Sequence, residues 1–109
     1  MSAAAEYANV ELTRAQVDAS PGTTVLEFGA TWCPICQGAQ PLIEAALAGR
    51  PLTHLRIEDG SGRPLGRSFR IKLWPTLVFL RDGQEIARVV RPSKPEDLTA
   101  ATDLLQAKA

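Results

Sequence analysis

Two strand-like runs separated by one helical stretch constrain this chain more than any other feature. Thr24 to Phe28 is a short run of apolar and β-favouring residues, and Leu52 to Ile57 is a second. Between them Ile35, Ala39, Leu42, Ile43, Ala46 and Leu47 recur at helical spacing, and Gly49 followed by Pro51 marks the stop. A strand, a crossover helix and another strand imply parallel pairing. Further on, Leu77 to Leu80 and Glu85 to Val90 flank Arg81-Asp82-Gly83-Gln84, a hairpin signal with glycine free to take positive φ. Antiparallel pairing is expected there. The two together predict an α/β fold with a mixed central β-sheet flanked by helices.

Shorter elements fill the remainder. Thr13 with Gln16 reads as a capping box opening a helix that runs towards Asp18 and is broken by Ser20-Pro21-Gly22. Gly60-Ser61-Gly62 is a loop leading into a helical piece from Pro64 to Phe69. It lacks the GxGxxG register and the GK[ST] ending of phosphate loops, so it reads as a surface connection. Ser93 with Glu96 forms a second capping-box pattern ahead of Leu98, Ala101 and Leu105, one stripe of a terminal amphipathic helix. The expected order is α-β-α-β-α-β-β-α, with an extra edge strand near Tyr7 to Glu11. No internal repeat or low-complexity tract interrupts it, so one domain over residues 1–109 is expected.

Twelve basic and twelve acidic side chains cancel, which argues against an electrostatic nucleic-acid or membrane binder. No apolar run approaches the ~20 residues that cross a bilayer. Glu6, Glu11, Arg14 and Asp18 fall within the first twenty residues, leaving no signal-peptide core, so a cytoplasmic protein is expected; a monomer is the expected state.

The two cysteines, Cys33 and Cys36, sit three positions apart at the start of the first long helix. A bridge there would close almost no loop, so its value is chemical rather than structural. At a helix start the first sulfur is expected to face outward past the helix end, with the second one turn away within disulfide reach. Free amides and the helix dipole favour the thiolate. Cys33 is therefore the expected nucleophile, and Cys36 is expected to resolve the mixed disulfide that Cys33 forms. Half of a structural zinc site is the competing reading. It is short of donors: no third cysteine exists and His54 is the only imidazole, so a closed site would need an unusual carboxylate or a second chain, and redox chemistry is the favoured reading. No metal or organic cofactor is expected.

Here the chain resembles the thioredoxin family, from about Val25 to Leu105. Three features carry the resemblance: the run Val25-Leu26-Glu27-Phe28-Gly29-Ala30-Thr31-Trp32-Cys33; Pro41, five residues after Cys36; and Trp74-Pro75-Thr76. The resemblance implies a thioredoxin-like fold and a thiol-disulfide oxidoreductase that reduces protein disulfides and is recharged by a thiol or a reductase. It implies that Pro41 kinks its helix and that Pro75 is cis beside the cysteines. Substrate backbone would then pair with the edge at Trp74, with Trp32, Pro34, Trp74, Pro75 and Thr76 forming the binding surface.

Glu27 interrupts a strand that ought to be covered on both faces. Burial favours the protonated form of a carboxyl group, which would suit Glu27 to accept a proton from Cys36. The plain alternative is a solvent-facing glutamate on a one-sided sheet. The matching position is usually aspartate in thioredoxins and glutamate in protein disulfide isomerase domains. His54 falls near a family position often held by lysine close to the buried acid, but a lone strand histidine is more often structural or exposed, so it is not assigned a catalytic role.

The chain also departs from the family pattern. Pro34-Ile35 stands where ordinary thioredoxins have glycine-proline, and Gln37 replaces a common basic residue. Val89-Val90-Arg91-Pro92 replaces a glycine-containing docking loop, where Arg91 reads as a rim contact or a solvated charge. These changes bear on redox poise and partner choice. A glutaredoxin-like or isomerase-like exchanger, and a non-catalytic interaction module using the same groove, are the alternatives.

Overall fold

The computed structural model describes residues 12–60 and 62–106. The order is α1 (Arg14–Asp18), β1 (Thr23–Gly29), α2 (Pro34–Leu47), β2 (Thr53–Glu58), α3 (Pro64–Ser68), β3 (Thr76–Arg81), β4 (Gln84–Val90) and α4 (Glu96–Gln106). The edge strand expected near Tyr7 to Glu11 lies outside the described residues.

The four strands form one mixed sheet ordered β2-β1-β3-β4. β1 runs parallel to β2, and β3 is antiparallel to both β1 and β4. Because side chains alternate along a strand, β1 feeds two cores. Leu26 and Phe28 join Val17, Ile57, Leu65, Phe69, Val78 and Leu80 on the side of α1 and α3. Val25 joins Ala39, Ile43, Leu47, Leu77, Phe79, Leu98 and Ala101 on the side of α2 and α4. Burial of each large side chain contributes about 1.5–3 kcal/mol, and coverage of both faces explains why β1 and β3 read as continuous apolar runs.

The hairpin turns on Asp82 (φ 50°) and Gly83 (φ 82°), both left-handed as a type I′ turn requires. A Cβ at Gly83 would overlap the backbone of Asp18, so glycine is needed for space as well as for φ. Thr13 and Gln16 form the expected capping box. The expected box at Ser93 and Glu96 is not what caps α4. Instead the Asp97 carboxylate accepts the Ser93 N–H at 2.8 Å, the Lys94 N–H at 3.2 Å and the Ser93 hydroxyl at 3.2 Å. Chain geometry ahead of the helix favours the acid one position later.

Candidate active site

β1 delivers the chain to the active-site turn and α2 leaves from it. Cys33 is the N-cap of α2, in extended conformation, with Pro34 in the first turn where its missing N–H costs nothing. The Cys36 N–H donates to Cys33 Sγ at 3.3 Å, so the first sulfur sits on the free amides of the helix start. Neither cysteine is in a disulfide. Cys36 is fully buried, and Cys33 is only 6% exposed. The expectation of an outward-facing first sulfur is thus corrected: Ala30 and Trp74 pack with the two cysteines and leave Cys33 a narrow opening. Pro41 lies inside α2, where it cannot donate to the carbonyl four residues back.

The second wall is the loop entering β3. Its Trp74–Pro75 bond is cis. Trp32 is 69% exposed, and its ring meets that of Trp74 edge-on, with centroids 5.6 Å apart. The Trp74 indole N–H donates to Asp59 Oδ2 at 2.9 Å. Asp59 is itself confined, since a Cβ at Gly66 would overlap its carboxylate. Thr76 is buried, and its hydroxyl donates to the Leu73 carbonyl at 2.6 Å, bracing the loop from within. Ile35 and Leu73 add exposed apolar surface.

Arg91 holds the loop from the far side. Its N–H donates to the Pro75 carbonyl and its Nε to the Trp74 carbonyl, each at 2.8 Å. It does so from a left-handed backbone, φ 51°, where a non-glycine residue is uncommon.

Beneath the cysteines lies a buried polar cluster. Glu27 is fully buried. Its carboxylate accepts from Gln40 Nε2 at 2.7 Å, and His54 Nε2 and Arg56 Nε lie 2.8 and 3.3 Å away. Gln40 also donates to the Cys36 carbonyl at 3.2 Å, which links the carboxylate to the second cysteine's backbone. Arg56 reaches outward to Glu44 at 3.3 Å. Burial opposes the charge on Glu27, while the Gln40 amide and the Arg56 guanidinium favour it.

Cys33, Cys36 and Trp74 are thus brought together, Pro75 follows Trp74 through the cis bond, and Trp32 and Pro34 lie on the adjoining exposed surface. Glu27 lies behind. Gln40, Arg56 and Asp59 were missed, and His54 was left aside. The available signal was periodicity: Glu27 pairs with Arg56 and Val25 with His54 across the parallel register, so all four share one face. Gln40 follows Cys36 by one helical turn. Among the described residues no group of three or more His, Cys, Asp or Glu could hold a metal ion.

A family model described as Thioredoxin matches residues 4–103. Thioredoxin H2-1 of Oryza sativa subsp. japonica is 32% identical over 84 residues, covering 72% of this chain and 60% of the rice protein. Thioredoxin H9 of Arabidopsis thaliana is 32% identical over 92 residues, covering 84% and 66%. The matches therefore span less than two thirds of those two relatives' own lengths. The structure of thioredoxin 2 from Pseudomonas aeruginosa PAO1 in its reduced form superposes with a TM-score of 0.82 at 50% identity, covering 92% of this chain and 94% of that one.

Proposed function

This chain belongs to the thioredoxin family, and on that premise we propose that it is a thiol-disulfide oxidoreductase that reduces protein disulfides. The observation that carries the reading is the Cys36 amide on Cys33 Sγ at 3.3 Å, beside the cis-proline loop. That amide is a donor placed on the sulfur that attacks, and the attacking species in disulfide exchange is the thiolate.

Cys33 thiolate attacks one sulfur of a substrate disulfide; a Cys33–substrate bond forms and the other substrate sulfur leaves as thiolate. Cys36, held one turn away, then loses its proton and attacks Cys33 Sγ. The substrate departs as a dithiol, two electrons have passed to it, and the protein is left with a Cys33–Cys36 disulfide. An external dithiol or a reductase returns the electrons. Glu27, tied through Gln40 to the Cys36 backbone carbonyl, is the group suited to take the Cys36 proton. Trp32, Ile35, Leu73 and the Trp74-Pro75 edge form the docking surface, where extended substrate backbone adds beside Cys33 while Thr76 braces the loop. Pro34 shapes its rim.

The same reading takes the chain as one cytoplasmic, monomeric domain. Among the described residues no helix is long and apolar enough to cross a membrane. Catalysis of insulin disulfide reduction, with dithiothreitol as donor, is the test. The wild-type chain is expected to accelerate it and Cys33→Ser to abolish the acceleration; equal rates with and without the protein would refute the reading. Glutathione and a reductase, tried in parallel, distinguish the donors.

A further inference from the structure

We propose that Arg91 is a specificity-determining residue that binds a carboxylate of the substrate, in the segment flanking the target disulfide. The inference rests on the disulfide-exchange reading above and adds to it the charge of the preferred substrate.

Arg91 braces its own loop. It contacts the carbonyls on both sides of the cis bond's proline, one through its backbone N–H and one through Nε. The second contact uses one of the five guanidinium hydrogens and fixes the plane of the group beside the Trp74 edge. The paired Nη groups remain, in the fork geometry that takes a carboxylate through two parallel hydrogen bonds. Lysine has no equivalent, because a single ammonium cannot hold the carbonyl and present a second planar face.

Arg91 is exposed, and among the described residues no carboxylate lies within ion-pair distance of it. Arg14, Arg56, Arg63 and Arg88 by contrast each have an acidic partner. The other flank of Trp74 has the same sign. There a cleft of about 270 Å³ is lined by Arg63, Arg67 and Lys72, and its one carboxylate, Asp59, is engaged by the indole N–H. The chain as a whole is neutral, yet Arg67, Lys72 and Arg91 flank the Trp74 loop. An apolar centre with a cationic rim is complementary to an acidic, partly apolar peptide. The left-handed φ points the same way: glycine would hold that backbone at lower cost, so the side chain offsets a conformational penalty.

The test uses short peptides with one internal disulfide and Glu, Gln or Lys on its flank, reduced by the full-length chain with dithiothreitol as donor. Wild type is expected to favour the Glu peptide over the Gln peptide by about two- to five-fold in kcat/KM at low salt, the size of a solvent-exposed charge pair. The preference should sit in KM and shrink as salt is raised. In Arg91→Gly and Arg91→Gln the ratio should fall to near one; Arg91→Lys should keep only part of it. A second arm titrates the same peptides into the Cys33→Ser/Cys36→Ser chain and follows tryptophan fluorescence, so affinity is read without turnover. Equal wild-type affinity for Glu and Lys peptides, or a preference that survives in Arg91→Gly, overturns the inference. Failure to reduce any peptide would refute the exchange reading instead, and the fluorescence titration would still decide Arg91.

Discussion

Glu27→Gln preserves the shape of a fully buried side chain and removes its charge. The carboxylate accepts from Gln40 at 2.7 Å and faces His54 and Arg56 at 2.8 and 3.3 Å. Glutamine retains one oxygen, but its NH₂ must turn towards a donor. One charge-assisted hydrogen bond, about 1.5–3 kcal/mol, is lost, while Arg56 retains its outward contact with Glu44. Relief from burying a carboxylate offsets part of this, leaving a net loss of about 2 kcal/mol. In urea, at the 1–3 kcal/mol per molar typical of small domains, the midpoint should fall by about 1 M. Function should be affected separately. If Glu27 takes the Cys36 proton, release of substrate from the mixed disulfide should slow by roughly 100-fold, the lower end for general base catalysis. Raising the pH should recover much of that rate, because hydroxide then removes the proton. Rapid-quench kinetics of the trapped adduct measure the step. An unchanged release rate with a lowered urea midpoint would make Glu27 a structural residue only; no change in either would refute the reasoning about the cluster.

Other predictions concern the supports of the site. Gly66→Ala should push the Asp59 carboxylate off the Trp74 indole, cost about 1–3 kcal/mol as overpacking does, and shift tryptophan emission towards that of a wetter ring. Asp97 has its carboxyl held below the ordinary aspartate value, chiefly by the Ser93 N–H. A lowered folded value means its contribution is present above the ordinary value of 3.8 and is lost as pH falls through the depressed one. Asp97→Asn should therefore flatten the acid limb of the stability curve below about pH 4, which urea titrations between pH 2 and 6 would show; an unchanged acid limb would contradict the capping role.

What was legible in the sequence follows from local physics. The apolar run of β1, the Gly49 and Pro51 stop of α2 and the Asp82-Gly83 turn each carry their own signal within a few residues. Burial of Glu27 was readable for the same reason, because neighbours covered on both faces leave it nowhere else to go. Its partners were not. Gln40, His54 and Arg56 meet it only once β1 and β2 are in register and α2 lies across them. The near-burial of Cys33 likewise depends on Trp74, forty-one residues later, closing over the helix start. Arg91 looked like a surface charge because nothing local reveals that its backbone is left-handed or that its guanidinium bonds a carbonyl seventeen residues earlier.

The central claim is a division of labour between the two sulfurs, and covalent trapping tests it most directly. Cys36→Ser, mixed with an oxidised protein substrate and analysed intact by mass spectrometry, should accumulate a one-to-one adduct joined through Cys33 and released by dithiothreitol. Cys33→Ser, with its remaining thiol fully buried, should accumulate none. Adducts of equal yield in both variants, or in neither, would contradict the account.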